Sequence, residues 1–199
     1  MSNFVDSSHC KKEKSIPAPL FVSGSPAGLV LVGTKSGLTA LSADDLRALG
    51  RVVIKDDAPR GTLTAADLDA DGRVEVIMIT ERGRVVAVNT GDGKILWDAA
   101  GGDDAESVAF ADVDGDRVLD VVVAGGQAFA MALSGRDGSI VWKDNVEPGY
   151  VANHAASLAP RTIVALPFGS GALLISGEPS RMGLRAIELS KGTVRPTSR

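Results

Sequence analysis

Asp67, Asp69, Asp71 and Glu75 stand at alternate places in one short turn. Asp112, Asp114, Asp116 and Asp120 repeat that spacing 45 residues later. Carboxylates at every second residue of a tight loop suit a hard cation, and calcium takes six to eight oxygen ligands at roughly 2.3–2.6 Å. The backbone carbonyl of Arg73 falls next in line in the first turn, and that of Val118 in the second. Gly72 sits where the first turn must bend sharply, often with positive φ. An EF-hand would need a glutamate at the twelfth position, and those places hold Met78 and Val123. A strand-like run follows each turn at once, so both read as β-hairpin loops.

The plainer alternative is that Asp-Gly turns are common hairpin connectors and that charged edges deter edge-to-edge pairing. Two such turns in register favour the ion. Four carboxylates gathered without a counter-ion oppose their own ionisation.

The charge distribution points the same way. The net charge is −4, yet eight of the 25 acidic residues lie in the two turns, leaving 17 against 21 basic ones. Two divalent ions would bring the total to about zero. No block of like charge marks a nucleic-acid surface, so no nucleic-acid partner is expected. Apolar runs such as Gly28–Gly33 fall far short of the roughly 18 residues of a membrane-spanning helix, and no membrane insertion is expected. A lone cysteine, Cys10, rules out an internal disulfide and fits either redox compartment. No apolar segment follows the basic residues near the start, so no secretory signal is read.

The elements that must hold these turns repeat with them. Gly91-Asp92-Gly93-Lys94-Ile95-Leu96-Trp97 returns as Arg136-Asp137-Gly138-Ser139-Ile140-Val141-Trp142, again 45 residues on. A fixed period in this range means stacked copies of one supersecondary unit. Short β-branched runs between Gly-bearing turns read as four-stranded antiparallel meanders. In the second copy the strands are expected at Ser107–Asp112, Leu119–Ala124, Gln127–Leu133 and Ser139–Trp142, with Gly125-Gly126 as a hairpin. A worn copy precedes the pair, with Leu46–Leu49 in the place of its last strand. Another follows at Arg161–Leu166, Ala172–Ser176, Leu184–Leu189 and Lys191–Val194.

The expected organisation is a disordered polar tail over 1–15 and a repeat domain over 16–199. Its blades fall at about 18–56, 61–100, 106–144 and 161–196. The fold class is all-β, a β-propeller-like array of about four four-stranded antiparallel blades, either a whole small propeller or part of a larger one. Residues 147–160 read as a surface loop inserted between copies.

Other residues carry less. Trp97 and Trp142 hold matching places at strand ends, which favours packing over a stacking platform for a sugar or quinone. His9 and Cys10 sit in the polar tail, and His154 is a lone loop histidine. No nucleophile-elbow, zinc-protease or phosphate-loop motif is present.

On these residues the turns resemble those of FG-GAP repeats, with the VCBS variant close, in calcium-binding propeller blades. The Gly-Asp-Gly-Lys-Ile-Leu-Trp hairpin resembles the blades of PQQ-like propellers, where the tryptophan packs between neighbours. The resemblance covers roughly Thr62–Trp142 and fades over 20–50 and 161–195. It implies calcium ligands at Asp67, Asp69, Asp71, Arg73 and Glu75, and at Asp112, Asp114, Asp116, Val118 and Asp120. Two departures stand out: Arg117 replaces the favoured glycine, and Glu75 replaces the usual aspartate. A non-glycine residue in a left-handed conformation costs roughly 1 kcal/mol, so the second site is expected to be weaker unless Gly115 shifts the bend.

The function expected is a non-catalytic calcium-binding module for protein or glycan binding, with self-association to complete a propeller as a further option. The alternative is a fragment of a propeller enzyme, resembling a quinoprotein dehydrogenase or a polysaccharide lyase. The resembled families are mostly extracellular or periplasmic.

Overall fold

Runs of valine, isoleucine and alanine, broken by glycine-bearing turns, form β-strands wherever the chain is described. The computed structural model describes residues 17–23, 28–102, 105–125, 129–143, 163–168, 171–178, 183–190 and 193–196. Four antiparallel meanders of four strands follow one another along the chain. The first holds β1 (Leu20–Val22), β2 (Leu29–Thr34), β3 (Gly37–Ser42) and β4 (Ala48–Val53). The second holds β5 (Pro59–Ala66), β6 (Glu75–Thr80), β7 (Arg84–Asn89) and β8 (Ile95–Ala100). The third holds β9 (Ala105–Ala111), β10 (Asp120–Gly125), β11 (Phe129–Leu133) and β12 (Ile140–Lys143). The last holds β13 (Ile163–Phe168), β14 (Gly171–Glu178), β15 (Gly183–Ser190) and β16 (Thr193–Pro196).

Each sheet keeps its strands in chain order, and the first strands of successive sheets approach one another. That is the blade arrangement of a propeller, with β1, β5, β9 and β13 innermost. Strands β6 and β10 are buried at every residue, while β4, β8 and β12 are largely exposed. A strand buried on both faces must lie between two neighbours, and alternation shows which. Ile77 and Ile79 of β6 pack with Val121, Val123, Met131 and Leu133 of the third sheet. Val76 and Met78, on the opposite face, pack with Leu29, Leu31 and Leu38 of the first. Each fully buried side chain of this size contributes about 1.5–3 kcal/mol, so no sheet is stable without its neighbours.

Two boundaries differ from the sequence reading. The last strand of the first sheet is Ala48–Val53, not Leu46–Leu49. Leu46 is in the left-handed region (φ 57°) and its N–H donates to the Ser42 carbonyl, so a turn occupies that stretch. The strand leading into the second acidic turn ends at Ala111, not Asp112, as its counterpart in the second sheet ends at Ala66, which frees Asp112 and Asp67 from the ladder. The tail over 1–15 (His9 and Cys10 included), the 147–160 insertion with His154, and Gly126 of the Gly-Gly hairpin lie outside the described residues. No helix among the described residues is long and apolar enough to cross a membrane.

Candidate metal sites

Each acidic turn joins the innermost strand of its sheet to the second strand, β5 to β6 and β9 to β10. The turns share one backbone. In the first, the Asp71 N–H donates to Asp69 Oδ1 (3.1 Å), Gly72 N–H to Asp67 Oδ2 (3.0 Å) and Arg73 N–H to Asp71 Oδ1 (2.8 Å). In the second, the N–H groups of Asp116, Arg117 and Val118 make the matching bonds to Asp114, Asp112 and Asp116, at 3.0, 3.0 and 2.8 Å. Carboxylates that fold their own loop in this way are preset before any ion arrives.

The fourth and sixth positions are left-handed in both turns: Ala70 (φ 61°) and Gly72 (83°), then Gly115 (82°) and Arg117 (69°). Gly115 therefore does not shift the bend away from Arg117; both positions are needed. Each loop places glycine at one of them and strains the other by roughly 1–2 kcal/mol. Ala70→Gly and Arg117→Gly are each expected to stabilise the protein by about 0.5 kcal/mol, the relief exceeding the added freedom of the unfolded chain. Urea melts of the two variants check this, and a loss of stability in both would contradict it.

The ninth residue of each turn is the first of the next strand and is fully enclosed. Glu75 is 0% exposed and Asp120 is 1% exposed. Glu75 Oε2 accepts from the Leu68 N–H at 2.9 Å, and Asp120 Oδ2 from the Val113 N–H at 2.8 Å. Burial pushes Glu75 up from the usual carboxylate range; the Leu68 hydrogen bond opposes this, while Asp69, Asp71 and Asp67 add to it. Burial likewise lifts Asp120 to about 6, with Asp114 and Asp116 adding to the rise.

Clustering differs between the turns. Carboxylate oxygens of Asp67, Asp69 and Asp71 lie within 4.8 Å of one another, as do those of Asp112, Asp114 and Asp120. Glu75 is outside the first group and Asp116 outside the second. Asp116 is diverted by Arg136, whose Nε donates to its Oδ2 at 3.0 Å and holds its carboxyl below the usual range. Position 91 of the preceding blade is glycine, so Asp71 meets no such competitor from that place. The departure of Arg136 from Gly91 is the signal in the sequence that marks this difference between the turns.

The donor set tests whether an ion fits. Two oxygens at the first turn, Asp67 Oδ1 and Glu75 Oε1, are buried and have no hydrogen-bond partner among the described residues. Buried carboxylate oxygens left unpaired are costly, and a cation within reach of each would offset that cost. All the side-chain ligands are oxygens, which suits calcium or magnesium over softer metals.

Tryptophan packing is the other functional-looking repeat. Trp97 is buried between the second and third sheets, and its Nε1–H donates to the Gly135 carbonyl at 2.7 Å. Its ring covers Gly138 of the next hairpin, where a Cβ would lie 2.8 Å from it. Trp142 occupies the matching place in the third sheet and packs with Val122, Ala130 and Ala132.

Residues 67–123 match the FG-GAP-like repeat family, the segment that holds both acidic turns. Among solved structures the fold is similar to BamB from Moraxella catarrhalis, with TM-score 0.53 and 16% identity over 89% of this chain and 52% of that one. It is similar to the computationally designed Ika4 protein, with TM-score 0.59 and 12% identity over 89% of this chain and 93% of that one. It is also similar to BBS1N, solved in complex with ARL6DN, with TM-score 0.56 and 13% identity over 84% of this chain and 48% of that one. The chain spans about half the length of BamB and of BBS1N. No curated protein matches its sequence. The likeness establishes the fold, a propeller-like array of four-stranded blades carrying an FG-GAP-like repeat.

Proposed function

We propose that this chain is a non-catalytic propeller module that holds calcium in its acidic turns and presents its blades to a protein partner. The pair of buried, unpartnered carboxylate oxygens at Asp67 and Glu75 carries the cation reading. Asp67, Asp69, Asp71 and Glu75 would hold the first ion with the Arg73 carbonyl. Asp112, Asp114, Asp116 and Asp120 would hold the second with that of Val118. The ion would offset the charge of each cluster and pin the inner strand of a blade to the second. The protein partner is favoured over a glycan because BBS1N, of similar fold, was solved bound to another protein.

Calorimetric titration of the chelator-stripped chain with calcium tests this. Two equivalents are expected, one lost in Asp69→Ala and the other in Asp114→Ala. The first site should be the tighter, since Arg136 competes for Asp116, and Arg136→Ala should tighten the second. At calcium a hundredfold above Kd each site adds about 2.7 kcal/mol of stability. No heat and no shift in Tm up to millimolar calcium would reduce the turns to hairpin connectors.

A further inference from the structure

The two interfaces beside the second sheet are built on one plan but filled differently. In that sheet Trp97 pairs with Ala87, just before a β-bulge between Ala87 and Val88. In the third, Trp142 pairs with Ala132, just before a bulge between Ala132 and Leu133. In the first, the residue pairing with Ala40, just before the bulge between Ala40 and Leu41, is Gly50. By sheet register, a glycine stands where the next two blades carry tryptophan. A Cβ added at Gly50 would have nothing within 4 Å.

The wall that a tryptophan would meet is nonetheless present. Trp97 lies on the Gly138 hairpin, in which Ser134 N–H donates to Ser139 O and Gly138 N–H to Ser134 O. The hairpin facing Gly50 repeats this with Asn89 to Lys94 and Gly93 to Asn89, and Gly93 shares the φ of Gly138, 72°. The Thr90 carbonyl thus stands where that of Gly135 accepts the Trp97 N–H. Where the indole crowds Gly138, a Cβ on Gly93 would meet only Val52, at 3.9 Å. The result is a cavity of about 600 Å³ between the first two sheets, with Gly50, Thr90 and Gly93 in its lining. Leu31, Leu38 and Val76 supply an apolar floor, and the exposed Arg73 stands in the same lining with its guanidinium beside Gly91. Asp92, also there, is engaged by Lys94 at 2.8 Å, and Arg51 of the same strand as Gly50 is turned to the other face, where it donates to Ser36 Oγ, which leaves Arg73 as the charge offered to a ligand. The volume falls within the range of small-molecule sites.

We propose that this cavity binds a small aromatic acid of indole size. Its ring takes the place that Trp97 fills at the next interface, with the ring N–H toward Thr90 O and the carboxylate toward Arg73. The chain itself supplies the template for the ring, and the Arg73 guanidinium selects the anion.

Titration of the full chain with indole-3-acetate, followed by calorimetry and ligand-observed NMR, tests the proposal. Binding at or below about 1 mM is expected, with tryptamine at least roughly tenfold weaker. Gly50→Trp should fill the cavity and abolish binding while raising Tm. Arg73→Ser, an exposed change that keeps the backbone carbonyl, should weaken indole-3-acetate several-fold and leave neutral indole unaffected, which keeps the test alive if Gly50→Trp fails to fold. Absence of binding at several millimolar, equal binding by Gly50→Trp, or a preference for tryptamine would each overturn it. Gly50 and Gly93, which shape the cavity, are not among the calcium ligands, and titrations run with and without calcium separate this test from that of the acidic turns.

Discussion

Trp97→Ala is expected to lower the free energy of unfolding by about 3–5 kcal/mol, the cost of removing a large buried aromatic side chain. The indole spans an interface: it belongs to the second sheet, covers Gly138 of the third, and donates to Gly135 O at 2.7 Å. Truncation would open a void and leave that carbonyl without its donor. Against a typical domain stability of about 5–15 kcal/mol, this would leave a fragile protein. Trp97→Phe should cost less, about 1–2 kcal/mol, because it keeps most of the ring contact and loses the hydrogen bond. Gly138→Ala should also be destabilising, since the position has φ 72° and its Cβ would press on the indole. Urea denaturation of the three variants measures this; a loss below about 1 kcal/mol for Trp97→Ala would mean the blades dock by other contacts.

Asp120→Asn is expected to stabilise the calcium-free protein at neutral pH and to destabilise it relative to wild type when calcium is present. The Asp120 carboxyl is raised from 3.8 to about 6 by burial first and by neighbouring aspartates second. A carboxyl whose folded pKa lies above its unfolded value binds its proton more tightly in the folded state. Its contribution is therefore fully present below about pH 4 and declines to nothing as pH rises through about 6. Two units correspond to about 3 kcal/mol, so Asp120→Asn should gain about 1–3 kcal/mol over wild type at pH 7 and little at pH 4. Glu75, also raised by burial, acts in the same direction in the first turn. Asp92, Asp116 and Asp137, held below the usual range by hydrogen bonds and neighbouring charge, act oppositely at lower pH. The difference between variant and wild type removes their effect. Calcium stabilises the ionised form and reverses the order. Thermal melts from pH 4 to 8, with and without calcium, decide the matter; a variant no more stable than wild type at pH 7 without calcium would contradict the electrostatic account.

Much of this was legible in the residues alone. Recurrence of Asp67 and Trp97 at Asp112 and Trp142 set the repeat, because each blade must present the same faces to its neighbours. Alternating aspartates announced the turns, since a loop that folds on its own carboxylates needs them at fixed local spacing. The misplacement of the strand at Leu46–Leu49 arose locally as well. A left-handed leucine is rare enough that no propensity would have placed it there.

Three decisions lay beyond local spacing. Asp116 is drawn from its cluster by Arg136, 20 residues away along the chain. Trp97 finds its acceptor 38 residues ahead, in the hairpin of the following blade. Gly50 opens a cavity because bulges set it, by register, at the tryptophan place. The sequence by itself determined the blade, its period and its acidic turns, since these follow from patterns within a few residues. How the blades meet, which carboxylates converge and where space remains were decided by the tertiary structure, because each depends on side chains that approach only once separate sheets have packed.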